Sequence, residues 1–486
     1  MTSYRPSRAI LELGEGFFDE VKPATFPKHV LRFRNQRWAE AVGLDGLDDD
    51  AWRAHMGELR PLEDNLPTPL ALRYHGHQFS VYNPALGDGR GFLHAQLFDK
   101  DARLLDLGTK GSGTTPWSRG GDGRLTLKGG VREVLATEML EALGVYTSKT
   151  FSLFETGESL YRGDEPSPTR SSVLVRLGHS HVRFGSFQRH AFAKDDAKLE
   201  KLVAYTLAHL LPEAREQASR TGDAPTALLE AVVLRSAELV ASWMVAGFVH
   251  GVLNTDNMNV TGESFDYGPW RFLPAYDPAF TAAYFDHSGL YAFGRQPSAV
   301  LWNLTRLALA LRSLAPEAPF QQKLDGFEPA FVRGVERRLL ARLGLRSRGH
   351  DEDIELVEGV FAFLDESRVG YDDFFFDWYR APLRSAKALA SKRGAHYATP
   401  AFAPLRARME EHEPALQPQA SSTPSYWDRE GPVTMLIDEV ESIWDAIAMG
   451  DDWSPLERKL DDIRVLGAAL APDFAAIRSP SGEPRP

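Results

Sequence analysis

The sequence predicts an α+β fold in which a β-rich lobe is followed by a helical lobe. Short β-like runs separated by glycine-rich turns occupy much of the first 190 residues. From Asp195 onward, apolar residues recur at the three- and four-residue spacing of amphipathic helices. The chain has 486 residues, of which 43% are hydrophobic and 25% are charged, as in ordinary globular proteins. We therefore expect two lobes, with an extension at each end of the chain.

The pattern divides the chain into four regions. These are an N-terminal extension at 1–70, a β-rich lobe with glycine loops at 71–190, a helical lobe at 191–345, and a C-terminal helical region at 346–486. The Pro/Ser/Gln-rich segment 417–425 predicts a linker. The tail at 479–486 is expected to be disordered.

Composition limits the function classes. The formal net charge of −12 argues against a nucleic-acid partner, because such surfaces need clustered cations. The chain has no cysteine, which excludes disulfides, thiolate catalysis and Cys-ligated zinc, and fits a reducing cytoplasm. The basic residues near the N-terminus are not followed by the apolar stretch of a secretory signal, and no apolar run is long enough to span a membrane. We expect a cytoplasmic protein without a membrane partner.

The elements of the first half follow from local pattern. Helices are predicted at 30–42 and 48–59, and strands at Phe92 to Phe98 and Leu104 to Lys110. On the second strand Lys110 shares a face with Asp106 and Gly108, because side chains alternate along a strand. Strands are also expected at 145–156 and 171–177.

Two glycine-rich segments flank the predicted Lys110 strand. Gly87, Gly89 and Arg90 belong to the first, where backbone N–H groups can approach an anion with no Cβ in the way. A plain hairpin turn between strands is the alternative interpretation. The second segment, 111–130, contains Asp122 and Gly123, and a loop of this length is usually functional.

Charged residues around these strands fit a phosphate-binding site. A helix predicted at 131–143 carries Glu133 and Glu138, either of which can pair with Lys110, although an i,i+4 surface pair is the alternative. Arg176 and Arg183 flank a His/Ser turn and can grip a polyphosphate through bidentate contacts.

The second half reads as helices joined by short loops. They are predicted at 198–213, 225–249, 298–314, 331–343, 353–363, 378–392, 434–449 and 456–470. The helix at 225–249 is apolar around most of its surface, which indicates that it is buried.

The segment after this buried helix carries the most informative spacing. Asn257 lies seven positions after His250, and Asp266-Tyr267-Gly268 follows. This is the spacing of a protein-kinase catalytic loop and its metal-binding Asp-Phe-Gly motif. Val252 stands where a kinase has its catalytic Asp, and valine can neither accept a proton nor bind a cation. The segment therefore predicts a nucleotide and metal site with altered chemistry.

Several longer motifs resemble one family, the selenoprotein O family of protein adenylyltransferases. They are Gly-His-Gln-Phe, Asn-Pro-x-Leu-Gly-Asp-Gly-Arg, Lys-Gly-Ser-Gly-Thr-Thr-Pro-Trp-Ser-Arg, Gly-Asp-Gly-Arg, His-Gly-Val-Leu-Asn-Thr-Asp-Asn-Met, Asp-Tyr-Gly-Pro, Gln-Pro and Trp-Asn-Leu. The resemblance runs from about residue 15 to 320. It implies a protein-kinase-like two-lobe fold that binds ATP inverted relative to kinases and transfers AMP to protein hydroxyl groups.

The resemblance also implies roles for single residues. The residues expected to bind ATP are Gly87, Gly89, Arg90, Lys110, Asp122, Gly123, Arg176, Arg183 and Asp266. Glu133 is implied as the partner of Lys110, Asp256 as the proton acceptor, and Asn257 with Asp266 as ligands of Mg²⁺ or Mn²⁺. The implied partners are ATP, with UTP as a second nucleotide, and proteins with Ser, Thr or Tyr acceptors.

An inverted nucleotide explains Val252. The terminal phosphates would then lie among Lys and Arg side chains deep in the cleft, so the kinase base position is no longer needed. Two other hypotheses stay open from the residues alone, a protein or small-molecule kinase and a non-catalytic nucleotide-binding pseudokinase. The family often carries a redox-active C-terminal Cys or selenocysteine, which this chain lacks, and its motifs are not recognisable around residues 396–410.

Overall fold

The structure, a computed structural model, describes residues 3–163, 165–416 and 425–476. The predicted linker at 417–425, apart from Ser425, and the predicted disordered tail at 479–486 lie outside these ranges. Within the described residues the chain is α+β, with a β-sheet lobe followed by a helical lobe, as predicted.

The sheet lobe is built on one antiparallel sheet that has nine strands within the described ranges. The central order is β2-β4-β7-β8-β11-β10-β3, with β1 paired to β7 and β9 paired to β11. The strands are β1 Pro6–Ser7, β2 Phe18–Glu20, β3 Val30–Arg34, β4 Leu70–Leu72, β5 Gly76–Gln78, β6 Val81–Asn83, β7 Leu93–Phe98, β8 Leu104–Lys110, β9 Leu125–Thr126, β10 Lys149–Leu160, β11 Thr169–Gly178, β12 Phe248–Val249 and β13 Arg271–Phe272. Two separate pairs, β5 with β6 and β12 with β13, lie outside the main sheet.

The predicted strands at 92–98 and 104–110 are confirmed as β7 and β8, and those at 145–156 and 171–177 correspond to β10 and β11. The segment predicted as an N-terminal extension supplies β1, β2 and β3 to the same sheet. The four-region division of the chain stays a prediction.

One sequence prediction in this lobe is wrong, and one alternative interpretation is excluded. The helix predicted at 30–42 is a strand followed by a helix: Val30–Arg34 pairs with β10, with Phe33 opposite Leu153. Asn35 then caps the following helix by accepting the Trp38 N–H at 3.2 Å. The first glycine segment is also no hairpin turn, because β6 pairs with β5 and β7 pairs with other strands. Residues 84–92 form a loop that connects two different sheets.

The helices are α1 Gln36–Val42, α2 Asp49–Trp52, α3 Leu127–Ala142, α4 Phe184–Phe192, α5 Asp196–His209, α6 Pro212–Thr221, α7 Ala224–Ala246, α8 Gln296–Leu311, α9 Phe320–Leu324, α10 Phe327–Leu343, α11 His350–Ser367, α12 Tyr371–Asp377, α13 Ala381–Leu389, α14 Gly394–Tyr397, α15 Ala403–Glu411, α16 Ile437–Gly450 and α17 Ser454–Ala475. The single helix predicted at 198–213 is in fact two, because the chain leaves α5 after His209 and Pro212 starts α6. Pro at the first turn suits a new helix, since its missing N–H would be unpaired there.

The core has two parts, one on each face of the sheet. One face of the sheet packs against α1 and α2 through Trp52, Phe151 and Val175. The other faces α3 and the helical lobe, in which the long α7 is buried. As predicted, α7 is apolar on most of its surface, and it ends at Gly247, whose φ of +69° favours glycine.

The C-terminal helices lie behind both lobes. Helix α17 packs against α3 of the sheet lobe and α10 of the helical lobe. The packing is close, because a Cβ built on Gly467 would lie 3.3 Å from Ala142 of α3. Arg338 of α10 also donates to the Gly144 carbonyl at 2.9 Å. In the part of the chain that the structure describes, no helix has the length and apolar character needed to cross a membrane.

Candidate active site

One face of β8 and β11 carries polar side chains into the cleft between the lobes. In β8, Leu105 and Leu107 belong to the core on the opposite face, so Asp106, Gly108 and Lys110 alternate with them. The register of the two strands places Arg176 opposite Gly108. Lys110 and Arg176 therefore leave the same face of adjacent strands.

Lys110 is buried and ion-paired on two sides. Its ammonium contacts the carboxylate of Glu133 in α3 and lies 2.9 Å from Oδ1 of Asp266. Glu138, the other candidate partner, instead accepts a hydrogen bond from the Asn35 side chain at 3.1 Å. Of the two glutamates named from the sequence, Glu133 is thus the one that contacts Lys110.

Asp266 is surrounded by cations. Besides Lys110, Nη1 of Arg176 lies 3.4 Å from Oδ1, and Nη1 of Arg183 lies 4.0 Å from Oδ2. Burial acts to raise the pKa of Asp266, but the charges of Lys110, Arg176 and Arg183 outweigh it and hold this pKa well below its ordinary value. Asp266 is therefore ionised at neutral pH.

Arg183 is built into the wall of the cleft. It is 4% exposed, and its guanidinium stacks over the rings of Tyr74 and Phe265 at 4.4 and 4.9 Å. Nη2 lies 3.2 Å from Oδ1 of Asp88, and Nη1 donates to the backbone carbonyl of Asp256 at 2.8 Å. Arg183 thus joins the first glycine loop to the turn that carries Asp256.

The His250 segment is tied to the helical lobe through its backbone. The His250 N–H donates to Oε1 of Gln296 at 3.0 Å, and Nε2 of His250 lies 3.1 Å from the Phe265 carbonyl. Further along, Nδ2 of Asn303 donates to the Leu253 carbonyl at 2.8 Å. Gln296 and Asn303 both lie on α8, so this one helix fixes the path of the segment.

A 3-10 turn, Thr255–Asn257, then presents Asp256 to the cleft. The β5–β6 pair lies directly on this turn. The N–H of His77 donates to Oγ1 of Thr255 at 2.7 Å, and the N–H of Phe79 donates to Oδ1 of Asn254 at 3.1 Å. The segment that leads into this turn is therefore held by hydrogen bonds from the β5–β6 pair on one side and, at Leu253, from α8 on the other.

Asp256 is a buried carboxylate without a full set of hydrogen bonds. It is 7% exposed, and Oδ1 has no hydrogen-bond partner in the described structure. Burial raises the pKa of Asp256 to about 6, against the lowering effect of Arg183. Gly76 lies against it, because a Cβ built on Gly76 would be 2.8 Å from Oδ1.

Asn257 and Asp266 offer oxygen atoms suited to a hard cation. Nδ2 of Asn257 donates to the Val252 carbonyl at 3.1 Å, so the side-chain oxygen of Asn257 is the atom left to bind a metal. Within the described ranges, no group of three His, Asp or Glu residues forms a metal cage. This donor set fits Mg²⁺ or Mn²⁺, which commonly take one or two protein ligands and complete their shell with phosphate and water.

The two glycine segments pack on each other at the mouth of the cleft. A Cβ on Gly87 would lie 2.4 Å from Cγ of Trp117, and a Cβ on Gly89 would lie 3.0 Å from the Trp117 carbonyl. Gly123 has no room for a Cβ either, because Gly113 lies 2.2 Å from that point. The glycines here are required by close packing of the two loops as well as by any approach of a ligand.

The site residues predicted from the sequence, except Glu133, line one cleft of about 670 Å³. Its wall contains seven cationic side chains and four carboxylates, although the whole chain carries a net charge of −12. The cations are Arg90, Lys110, Arg119, Arg124, Arg162, Arg176 and Arg183, and the carboxylates are Asp88, Asp122, Asp256 and Asp266. A cleft of this size and charge can hold a nucleoside triphosphate.

Comparison with known proteins identifies the family of this chain. The family model described as protein adenylyltransferase SelO matches residues 2–464. This chain belongs to that family. The resemblance inferred from the motifs is therefore confirmed, and the match continues through the C-terminal helices, where no family motif was recognised in the sequence.

Individual relatives of the SelO family cover nearly the whole chain. A protein nucleotidyltransferase YdiU from Synechocystis sp. is 44% identical over 93% of this chain and 96% of its own length. One from Gloeobacter violaceus is 45% identical over 93% of each chain. One from Trichodesmium erythraeum is 42% identical over 95% of this chain and 98% of its own length.

Proposed function

We propose that this chain transfers AMP from ATP to Ser, Thr or Tyr hydroxyls of proteins, and that it does so in a protein-kinase-like fold with ATP inverted. Membership of the SelO family supports the nucleotidyl transfer. The placement of Val252 supports the inversion. Val252 lines the cleft and, by its spacing from His250 and Asn257, stands where a kinase has its catalytic Asp, while the cleft carboxylate with an unpartnered oxygen belongs to Asp256.

The cations would hold the phosphates. Lys110, Arg176 and Arg183 converge on Asp266 at the inner end of the cleft. Charges fixed in a buried site stabilise a transition state without reorganising during the reaction. In the inverted pose these side chains bind the departing pyrophosphate, and the α-phosphorus faces the turn that carries Asp256.

Asn257 and Asp266 would hold a divalent cation, Mg²⁺ or Mn²⁺. When bound, the cation supplies positive charge that neutralises the phosphate oxygens during transfer. Glu133 keeps Lys110 in place, and Asp256, at a pKa of about 6, is suited to accept the proton of the acceptor hydroxyl near neutral pH. Gly87, Gly89, Arg90, Asp122 and Gly123 would enclose the nucleotide at the mouth of the cleft.

Labelled nucleotides test this function directly. The protein is incubated with an acceptor protein mixture, Mg²⁺ or Mn²⁺, and ATP labelled at either the α or the γ phosphorus. Covalent label from α alone is expected. Label from γ alone would indicate a kinase, and label from neither would indicate a non-catalytic nucleotide-binding protein.

Two finer proposals accompany this one. UTP is a second donor, which α-labelled UTP in the same assay tests by comparing the transfer of UMP and AMP. The protein acts in the cytoplasm, which a chain without cysteine permits.

A further inference from the structure

A buried histidine, His181, lies between a carboxylate and Arg176. Oδ2 of Asp106 accepts the backbone N–H of His181 at 2.9 Å and lies 3.2 Å from its Nδ1. On the other side of the ring, Nε of Arg176 donates to Nε2 of His181 at 3.2 Å. All three residues are between 2% and 5% exposed, so these contacts are largely shielded from water.

These contacts determine where the proton of the imidazole lies. A guanidinium has only donors, so Nε2 of His181 has to be the acceptor for Arg176. Nδ1 then carries the proton and donates it to the Asp106 carboxylate. A neutral ring with the proton on Nδ1 is the one form of His181 that satisfies both neighbours.

The strand pairing makes room for this arrangement. Gly108 lies directly opposite Arg176, and a Cβ at Gly108 would be 2.3 Å from Nε2 of His181. Any larger residue there would push the imidazole away from the guanidinium. Asp106 is itself held, because its Oδ1 accepts from Nε2 of Gln96 at 2.8 Å.

Arg176 is thereby fixed in orientation. Its Nε is bonded to His181, its Nη1 lies 3.4 Å from Asp266, and its guanidinium lies 5.1 Å from the centre of the Phe265 ring. The remaining N–H groups are left for an anion in the cleft, which Arg176 lines. An arginine oriented in advance loses less freedom when it grips a phosphate.

We propose that His181, in the form protonated on Nδ1, is a positioning residue that orients Arg176 toward the phosphates of the bound nucleotide. This inference rests on the proposed function, because it takes ATP as the ligand of the cleft. In this proposal His181 acts through its hydrogen bond with Arg176. Its effect should therefore appear only with ligands that carry phosphate, and only while Arg176 is present.

Two substitutions separate the two contacts of the ring. His181→Gln can place an amide oxygen near the position of Nε2 and accept from Arg176. His181→Asn keeps a donor for Asp106 but cannot reach Arg176. Losing a hydrogen bond to a charged group corresponds to a change of about 10- to 100-fold in affinity.

The measurement is calorimetric binding of ATP with Mg²⁺ and of adenosine to each variant. We expect His181→Asn to weaken ATP binding about 10- to 100-fold and to leave adenosine binding unchanged. We expect His181→Gln to stay within about threefold of wild type, and in an Arg176→Ala background His181→Asn should add less than about threefold. His179→Gln is the matched control, since His179 is a buried histidine in the same turn that contacts Tyr146 and does not line the cleft.

Nitrogen NMR tests the proposed protonation of the ring without relying on the binding affinities of the variants. Nitrogen NMR of ¹⁵N-histidine-labelled protein, assigned with His181→Gln, should show Nδ1 protonated and Nε2 unprotonated. The opposite form, a doubly protonated ring, or equal ATP affinity in all variants would overturn the proposal while leaving α-label transfer intact. Failure of the wild type to bind ATP at all would instead remove the proposed function, and this inference with it.

Discussion

Asp256 and Gly76 are the residue pair through which the position of the carboxylate can be tested without changing its charge. A Cβ on Gly76 would lie 2.8 Å from Oδ1 of Asp256 and 3.1 Å from Leu86. We expect Gly76→Ala to displace the carboxylate and lower kcat at least about tenfold, because misplacing a reacting group by an ångström is costly. Steady-state kinetics of AMP transfer measures this.

Gly268→Ala is the matched control for Gly76→Ala. Gly268 also lies near the cleft, in the Asp266-Tyr267-Gly268 segment, but a Cβ there would meet nothing within 4 Å. It should retain wild-type kcat. Equal activity of the two alanine variants would show that the position of the Asp256 carboxylate does not limit transfer.

Asp266 is the carboxylate that lies within 4.0 Å of three cationic side chains. We expect Asp266→Ala to abolish AMP transfer, because it removes the proposed metal ligand and leaves Lys110 and Arg176 without their shared anion. The readout is incorporation of label from α-labelled ATP. Asp277→Ala, eleven residues further along the chain, should remain active, and transfer by the Asp266 variant at the rate of that control would contradict the assignment.

Glu263 gives the molecule a predicted pH dependence of stability. Burial raises the pKa of Glu263 from 4.5 to about 7, although Lys149, Arg103 and Arg176 act to lower it. Because the folded state binds this proton more tightly than the unfolded state, the contribution of Glu263 is fully present below about pH 4.5 and is lost as the pH rises through 7.

Glu263→Gln removes that ionisation. The free energy of unfolding at pH 8 should rise by about 1–3 kcal/mol, and the difference from wild type should shrink toward zero near pH 4.5. Urea unfolding at the two pH values measures it, with the exposed Glu413→Gln as control. A difference that stays constant between the two pH values would show that Glu263 does not titrate in this way.

At the scale of elements, the glycine loops at the mouth of the cleft depend on one tryptophan. Gly87 packs on the Trp117 ring, and the Trp117 indole N–H also donates to Asp19 at 2.9 Å. We expect Gly87→Ala to push the loops apart and raise KM for ATP about tenfold, with a smaller effect on kcat. The double variant with Trp117→Leu should recover part of this loss, and no recovery would mean that the glycine acts through its backbone alone.

Local pattern was sufficient where the periodicity of a segment fits only one kind of element. Leu104 to Lys110 is predicted as a strand and lies in the sheet as β8, and the apolar stripe at 131–143 belongs to α3. Val30 to Arg34 was misread as helix because its apolar residues suit either period. Its pairing with β10 involves residues more than 100 positions away, which local pattern cannot show.

The candidate site was predictable only for the residues whose spacing along the chain is characteristic. Lys110, Asn257 and Asp266 are recognisable by spacing along the chain. Asp88, His181, Gln296 and Asn303 had no role assigned, although the structure shows them holding Arg183, Arg176 and the His250 segment. Their contacts join residues from 5 to 95 positions apart, which spacing along the chain does not show. The motifs Gln-Pro and Trp-Asn-Leu were the one signal of the last two.

At the scale of the whole molecule, α17 contributes to stability through its buried leucines. Leu470 is 2% exposed, whereas Val465 on the same helix is 44% exposed. Leu470→Ala should lower the free energy of unfolding by about 2–5 kcal/mol, because it leaves a cavity in the core. Val465→Ala should change it by less than about 0.5 kcal/mol, and similar midpoints for the two variants in thermal unfolding would refute the assigned packing.

The close contact of α17 with α3 has a consequence for control of the enzyme. Glu133 lies on α3, and α17 packs against α3. Helix α3 therefore has little room to move outward and separate Glu133 from Lys110. We therefore expect the Lys110–Glu133 contact to persist in the folded chain and not to act as a switch. We therefore expect any regulation of catalysis to act elsewhere, at the glycine loops of the cleft.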